Sequence, residues 1–154
     1  MRILFVCLGN ICRSPTAEGV MRQKLAKAGL GQRVQVASAG TGDWHVGKAP
    51  DTRTQVAARQ RGYELAGQRA QQVKAADFDH YDLILAMDHA NLAQLERLRP
   101  TANQTPVALF LRYTGGPVDD VPDPYYGGSQ GFEQVLALIE AGCDQLVAEL
   151  GGQP

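Results

Sequence analysis

Cysteine is scarce in this sequence, with three in 154 residues. A small and odd number argues against a disulfide framework and fits a reducing compartment. His45, His80 and His89 are scattered, and no second Cys or His pair is spaced to turn Cys7 and Cys12 into a zinc site. No metal and no cofactor is expected. An excess of one charge is missing too. The formal net charge is −1, so nothing in the bulk electrostatics attracts nucleic acid or an anionic membrane. No apolar run approaches the ~20 residues of a membrane span. The N-terminus lacks a basic-then-apolar signal pattern, and the first strand is expected from residue 2 or 3. A GxxxxGK[ST] loop is absent, which excludes that mode of nucleotide binding. These absences predict a cytoplasmic protein that takes neither nucleic acid nor membrane as partner; a monomer or weak homo-oligomer is expected. Any anion must be held by local groups.

What is present fits one ordinary domain over residues 1–154, with 44% hydrophobic and 20% charged residues. Strand-like runs at Ile3 to Val6, Val34 to Ala37, Leu83 to Met87 and Val107 to Leu111 alternate with helix-like stretches. Ala17, Val20, Met21, Leu25 and Ala28 make one helix face ending at Gly29, and Thr52 to Arg61 follows Pro50 and closes at Gly62. Asn91 to Leu98 stops before Pro100, and Phe132, Val135, Leu136, Ile139, Cys143, Leu146, Val147 and Leu150 form a long apolar stripe. Alternation of this kind predicts an α/β fold, a parallel doubly wound sheet with helices on both faces. Ligands in such folds sit beyond the carboxyl ends of the strands.

The segment Cys7-Leu8-Gly9-Asn10-Ile11-Cys12-Arg13-Ser14 leaves the first strand at that edge, and Pro15 suits the first turn of a helix. Its layout is strand, tight loop, helix N-terminus, with a thiol at the strand end. Loop N–H groups, the positive end of the helix and Arg13 would all favour the thiolate and would also bind the oxygens of a phosphoryl group. Arg13 can grip two such oxygens at once with its planar fork. Gly9 and Asn10 tolerate the positive φ that a tight loop requires. Ser14 can donate a hydrogen bond to the sulfur. A nucleophile and an anion cradle therefore share one loop.

The run Val6 to Pro15 resembles the signature of the low-molecular-weight protein tyrosine phosphatases. Ser38-Ala39-Gly40-Thr41, Ala86-Met87-Asp88 with Asn91, and Asp123-Pro124-Tyr125-Tyr126-Gly127 resemble further landmarks of that family, in its order. The resemblance covers essentially the whole chain. It implies a four-stranded parallel sheet and a metal-independent hydrolysis of phosphotyrosine-containing proteins or aryl phosphates. Cys7 would attack phosphorus to give a cysteinyl-phosphate, which water then hydrolyses, while Arg13 stabilises charge on the equatorial oxygens. Leu8, Gly9, Asn10, Ile11, Cys12 and Ser14 would complete the cradle.

The leaving group needs a proton. By chemistry alone Asp119, Asp120 and Asp123 compete, all in the turn-rich stretch 115–128; the resemblance selects Asp123. It also places Trp44 and Tyr125 as aromatic pocket walls, Trp44 having a core or hinge position as its alternative. His45 is read as a rim residue or an ordinary loop histidine. Asn10 and Ser38 resemble a loop-supporting network, but many relatives carry His and Arg where this chain has Gly67-Gln68-Arg69-Ala70-Gln71. Cys12 reads either as a redox guard that captures oxidised Cys7 in a disulfide or as a small buried apolar group, and Cys143 as core. Tyr125 and Tyr126 could be phosphorylated, as in some relatives. A thiol-dependent arsenate reductase would need relay cysteines that are missing between Cys12 and Cys143. A catalytically idle binding module would need neither Cys7 nor Asp123.

Overall fold

The computed structural model describes residues 1–124 and 129–152. Strands β1 (Arg2–Cys7), β2 (Gln35–Gly40), β3 (Leu83–Ala86) and β4 (Val107–Leu109) form one sheet in the order β2-β1-β3-β4, every pair parallel. Between and after them run α1 (Arg13–Lys27), α2 (Thr52–Gln60), α3 (Asp77–His80), α4 (His89–Leu98), α5 (Phe110–Tyr113) and α6 (Ser129–Gly151). The chain leaves β1 toward β2 on one side and later crosses to β3 on the other. Cys7, the last residue of β1, therefore stands at the point where the strand order reverses, the place where open α/β sheets bind ligands.

Side chains alternate across the sheet as the pleat requires. Ile3, Phe5, Cys7, Leu83 and Leu85 join the core under α1 and α6, with Phe110 set edge-on to Phe5 at 5.5 Å between ring centres. Leu4, Val6, Ile84 and Ala86 face the opposite core, with Phe78 and Leu95. Both faces of β1 and β3 are covered, which is why they read as continuous apolar runs.

The elements differ from the sequence reading most at β2, at β4 and at α3. The second strand is Gln35–Gly40 rather than Val34 to Ala37, because pairing with β1 continues through Phe5↔Ser38 to Cys7↔Gly40. The fourth ends at Leu109, the partner of Ala86 at the end of β3, so Phe110 and Leu111 have no ladder to extend and turn into the short α5. The one-turn α3 carries a single apolar residue, Phe78, too little to show a helical period. Among the described residues no helix is long and apolar enough to cross a membrane.

Candidate active site

The loop between β1 and α1 is shaped by its carbonyls. Those of Cys7, Leu8 and Ile11 accept hydrogen bonds from the backbone N–H groups of Thr41, Gly42 and Asp51 at 2.9, 2.9 and 2.8 Å, so the segment after β2 holds the loop from outside. The Cys12 carbonyl accepts from the Thr16 amide and hydroxyl in the first turn of α1. Asn10 takes the left-handed conformation, φ 57°, one of the few non-glycine residues that does so at modest cost. Gly40 is required by close approach, since a Cβ there would lie 2.7 Å from the Leu8 carbonyl oxygen.

Cys7 Sγ sits inside this turn, 2.9 Å from Ser14 Oγ and 3.3 Å from the Asn10 N–H that points at it. Both residues are buried. Asn10 is anchored on three sides. Its Nδ2 donates to Ser14 Oγ at 2.8 Å and to Ser38 Oγ at 2.9 Å, and its Oδ1 accepts from the Gln71 N–H at 2.9 Å. The stretch that departs from the family pattern thus supplies its support largely by other means. A backbone amide does what no side chain there need do, Gln71 Nε2 ties the Ser38 carbonyl, and Gln68 Nε2 ties that of Pro15.

Arg13 is 3% exposed and lies in the first turn of α1. Its Nη1 donates to Asp88 Oδ2 at 2.6 Å and to the Val121 carbonyl at 3.0 Å, and its Nη2 stands 3.6 Å from Asp123 Oδ2. Burial alone would weaken its hold on the proton, but Cys7 and Asp88 outweigh that and keep the guanidinium above its ordinary value. Asp88 does two jobs: its other oxygen accepts from the Asn91 N–H and caps α4. The Asp-x-x-Asn spacing signals a helix cap in the sequence, but only the fold reveals that the same carboxylate orients Arg13.

Cys7, Leu8, Gly9, Ile11, Cys12, Arg13, Trp44, His45 and Asp123 line one pocket of about 400 Å³. Trp44, 66% exposed, stands at its mouth and is not a core residue. His45 closes over Gly9, where a Cβ would come within 2.9 Å of its ring. Asp119 and Asp120 are engaged elsewhere, with Arg112 and with His89. Tyr125 and Tyr126 lie outside the described residues. All three cysteines are free thiols. Burial, with nearby Asp51 adding to it, pushes Cys12 up to about 12, and burial likewise pushes Cys143 up. Neither supplies a thiolate at neutral pH.

The family model for low molecular weight phosphotyrosine protein phosphatases matches residues 2–153. A low molecular weight protein-tyrosine-phosphatase of Bacillus subtilis is 44% identical over 149 residues, 96% of this chain and 94% of that one. The crystal structure of a protein tyrosine phosphatase from Entamoeba histolytica superposes with a TM-score of 0.92 at 37% identity, covering 97% and 96% of the two chains. A Drosophila arginine phosphatase gives 0.92 at 33%, covering both chains fully. The chain therefore belongs to the low molecular weight phosphotyrosine protein phosphatases, and it is an enzyme.

Proposed function

We propose that the enzyme hydrolyses aryl phosphate monoesters, phosphotyrosine in proteins among them, through a cysteinyl-phosphate at Cys7 and without a metal. One observation carries this reading. A buried thiol held by an N–H and a hydroxyl opens into the same pocket as a buried arginine and a carboxylate. With its carbonyls tied outward, the loop offers its amides to the phosphoryl oxygens, and Arg13 adds a fixed positive charge.

In the first step the Cys7 thiolate attacks phosphorus as the P–O bond to the phenol breaks, and Asp123 gives its proton to the leaving oxygen. In the second, Asp123 takes a proton from water as that water attacks phosphorus. The P–S bond then breaks, and the sulfur leaves as thiolate toward Ser14. The products are a phenol and inorganic phosphate. Nucleophile, cation and acid all come from the chain, so chelators leave the rate unchanged.

A guanidino phosphate is the second reading, because one solved relative is described as an arginine phosphatase. Leu8, Ile11 and Trp44 at the pocket wall favour the aryl group, which needs flat apolar surface rather than polar partners for a guanidinium. Steady-state hydrolysis of phosphotyrosine and phosphoarginine by the reduced enzyme separates the two. The aryl ester is expected to be the better substrate. Cys7→Ser is expected to abolish turnover, and Asp123→Asn to lower it by about a hundredfold or more. Full activity in Cys7→Ser would remove the mechanism, and faster phosphoarginine turnover would reverse the substrate reading.

A further inference from the structure

Phe132, in the first turn of α6, has no part in the reaction as derived so far, yet it is buried. It packs with Cys12 and Ala57, and Arg53 Cζ lies 4.9 Å from the centre of its ring. Pro124, the residue after the proposed acid, is buried at the same place. Pro124, Phe132, Cys12, Ala57 and Val135 are among the residues around a void of only about 10 Å³, no more than one water needs. The start of α6 comes close as well, since a Cβ on Gly131 would lie 3.8 Å from Pro124 Cβ. We propose that Phe132 is a positioning residue for the general acid: with α2 it forms the socket that seats Pro124, and Pro124 sets where Asp123 stands.

Asp123 stands between two anchors. On one side Val121 is buried, donates its N–H to the Met87 carbonyl at 2.7 Å and accepts from Arg13 at 3.0 Å. On the other side is Pro124 in its socket. Residues 122 and 124 are both proline, so φ is fixed at each. The residues before them, Val121 and Asp123, are steered to extended backbone. A segment so short and stiff cannot absorb a shift of one anchor; it passes the shift to the carboxylate between them. Proton donation needs hydrogen-bond reach of the leaving oxygen, so a displacement of about 1 Å removes much of what the acid contributes.

The surroundings of Phe132 set it apart from an ordinary core phenylalanine. Phe110 and Phe78 belong to the two cores that cover the sheet. Phe132 lies in neither, but in a small cluster with Cys12, Ala57 and the partly buried Ile11. Cys12 and Ile11 are part of the loop that carries Cys7, so the ring lies at the seam between that loop and the acid segment. The start of α2 braces both sides of the seam. Both Asp51 oxygens hold Arg53 at 3.1 Å, and the Asp51 N–H donates to the Ile11 carbonyl at 2.8 Å.

The inference rests on Asp123 being the acid, so the test reads the need for an acid directly. The quantity is kcat/KM, which reports formation of the cysteinyl-phosphate, for two esters. Phenyl phosphate releases a phenol about as basic as tyrosine, with a pKa of about 10, whereas the phenolate of dinitrophenyl phosphate leaves without a proton. Phe132→Ala is expected to lower kcat/KM about tenfold for the phenyl ester and less than about twofold for the dinitrophenyl ester. Phe132→Leu keeps most of the apolar bulk and should recover most of the loss. In an Asp123→Asn background Phe132→Ala should cost nothing further, because the group it positions is already gone. If Phe132→Ala does not fold, Pro124→Ala empties the socket from its other side and should show the same selective loss and the same silence beside Asp123→Asn. Equal losses for the two esters, no loss for the phenyl ester, or a further loss in Asp123→Asn would overturn the proposal. Asp123→Asn alone separates this inference from the proposed function. If it lowers both esters equally, the acid assignment fails; if it is selective and Phe132→Ala is not, this inference alone fails.

Discussion

Asp88 is the carboxylate that holds Arg13, the proposed phosphate binder. Arg13 is buried and bonds Asp88 at 2.6 Å, while the other Asp88 oxygen caps α4. Asparagine at this position keeps a good cap and a neutral hydrogen bond but removes the charge that orients the guanidinium. Asp88→Asn is therefore expected to lower kcat by about tenfold to a hundredfold, because small misplacements of a transition-state group are costly. Its melting temperature should fall by only a few degrees, about what ~1 kcal/mol costs a chain of this size. Steady-state kinetics and a thermal melt on the same preparation check both halves. A normal kcat would show that Arg13 is oriented without Asp88.

At the scale of elements, the seat of α6 against α5 is set by Gly142. A Cβ there would lie 2.6 Å from Phe110 Cζ, and Phe110 is fully buried against Phe5. Alanine inside a helix ordinarily gains up to ~1 kcal/mol over glycine, whereas overpacking a closed core costs about 1–3 kcal/mol. The second effect wins. Gly142→Ala should lower the melting temperature and leave the activity per folded molecule unchanged, since neither Gly142 nor Phe110 lines the pocket of Cys7. A raised melting temperature would mean that Phe110 has room to move. The sequence showed α6 plainly through its apolar stripe but could not show this contact, which joins residues 32 positions apart. β2 was half legible for a related reason. Ser38, Ala39 and Gly40 carry little strand propensity and become strand only because β1 pairs with them.

The whole molecule assembles two distant segments into one site. Cys7 to Ser14 could be read as a thiol and anion cradle from its own residues, because strand, loop and helix start are contiguous there. Asp123 could not be separated from Asp119 and Asp120 by chemistry; in the fold Asp119 pairs with Arg112 and Asp120 with His89, while Asp123 lines the pocket beside Arg13. The contacts of Ser38 with Glu18, of Asn10 with the Gln71 N–H and of Arg13 with the Val121 carbonyl could not be read in sequence, since each exists only after the chain is folded. The central claim is that Cys7 and Asp123 serve one reaction in opposite protonation states. The measurement that tests it is the pH dependence of kcat/KM for an aryl phosphate with a poor leaving group, in wild type and in Asp123→Asn. The first step needs Cys7 as thiolate and Asp123 as acid in the same molecule, so the wild-type rate is expected to fall on both sides of an optimum. Asp123→Asn should lose the alkaline fall and rise to a plateau. A wild-type rate that climbs steadily into alkaline pH, or an alkaline fall that survives in Asp123→Asn, would contradict the account.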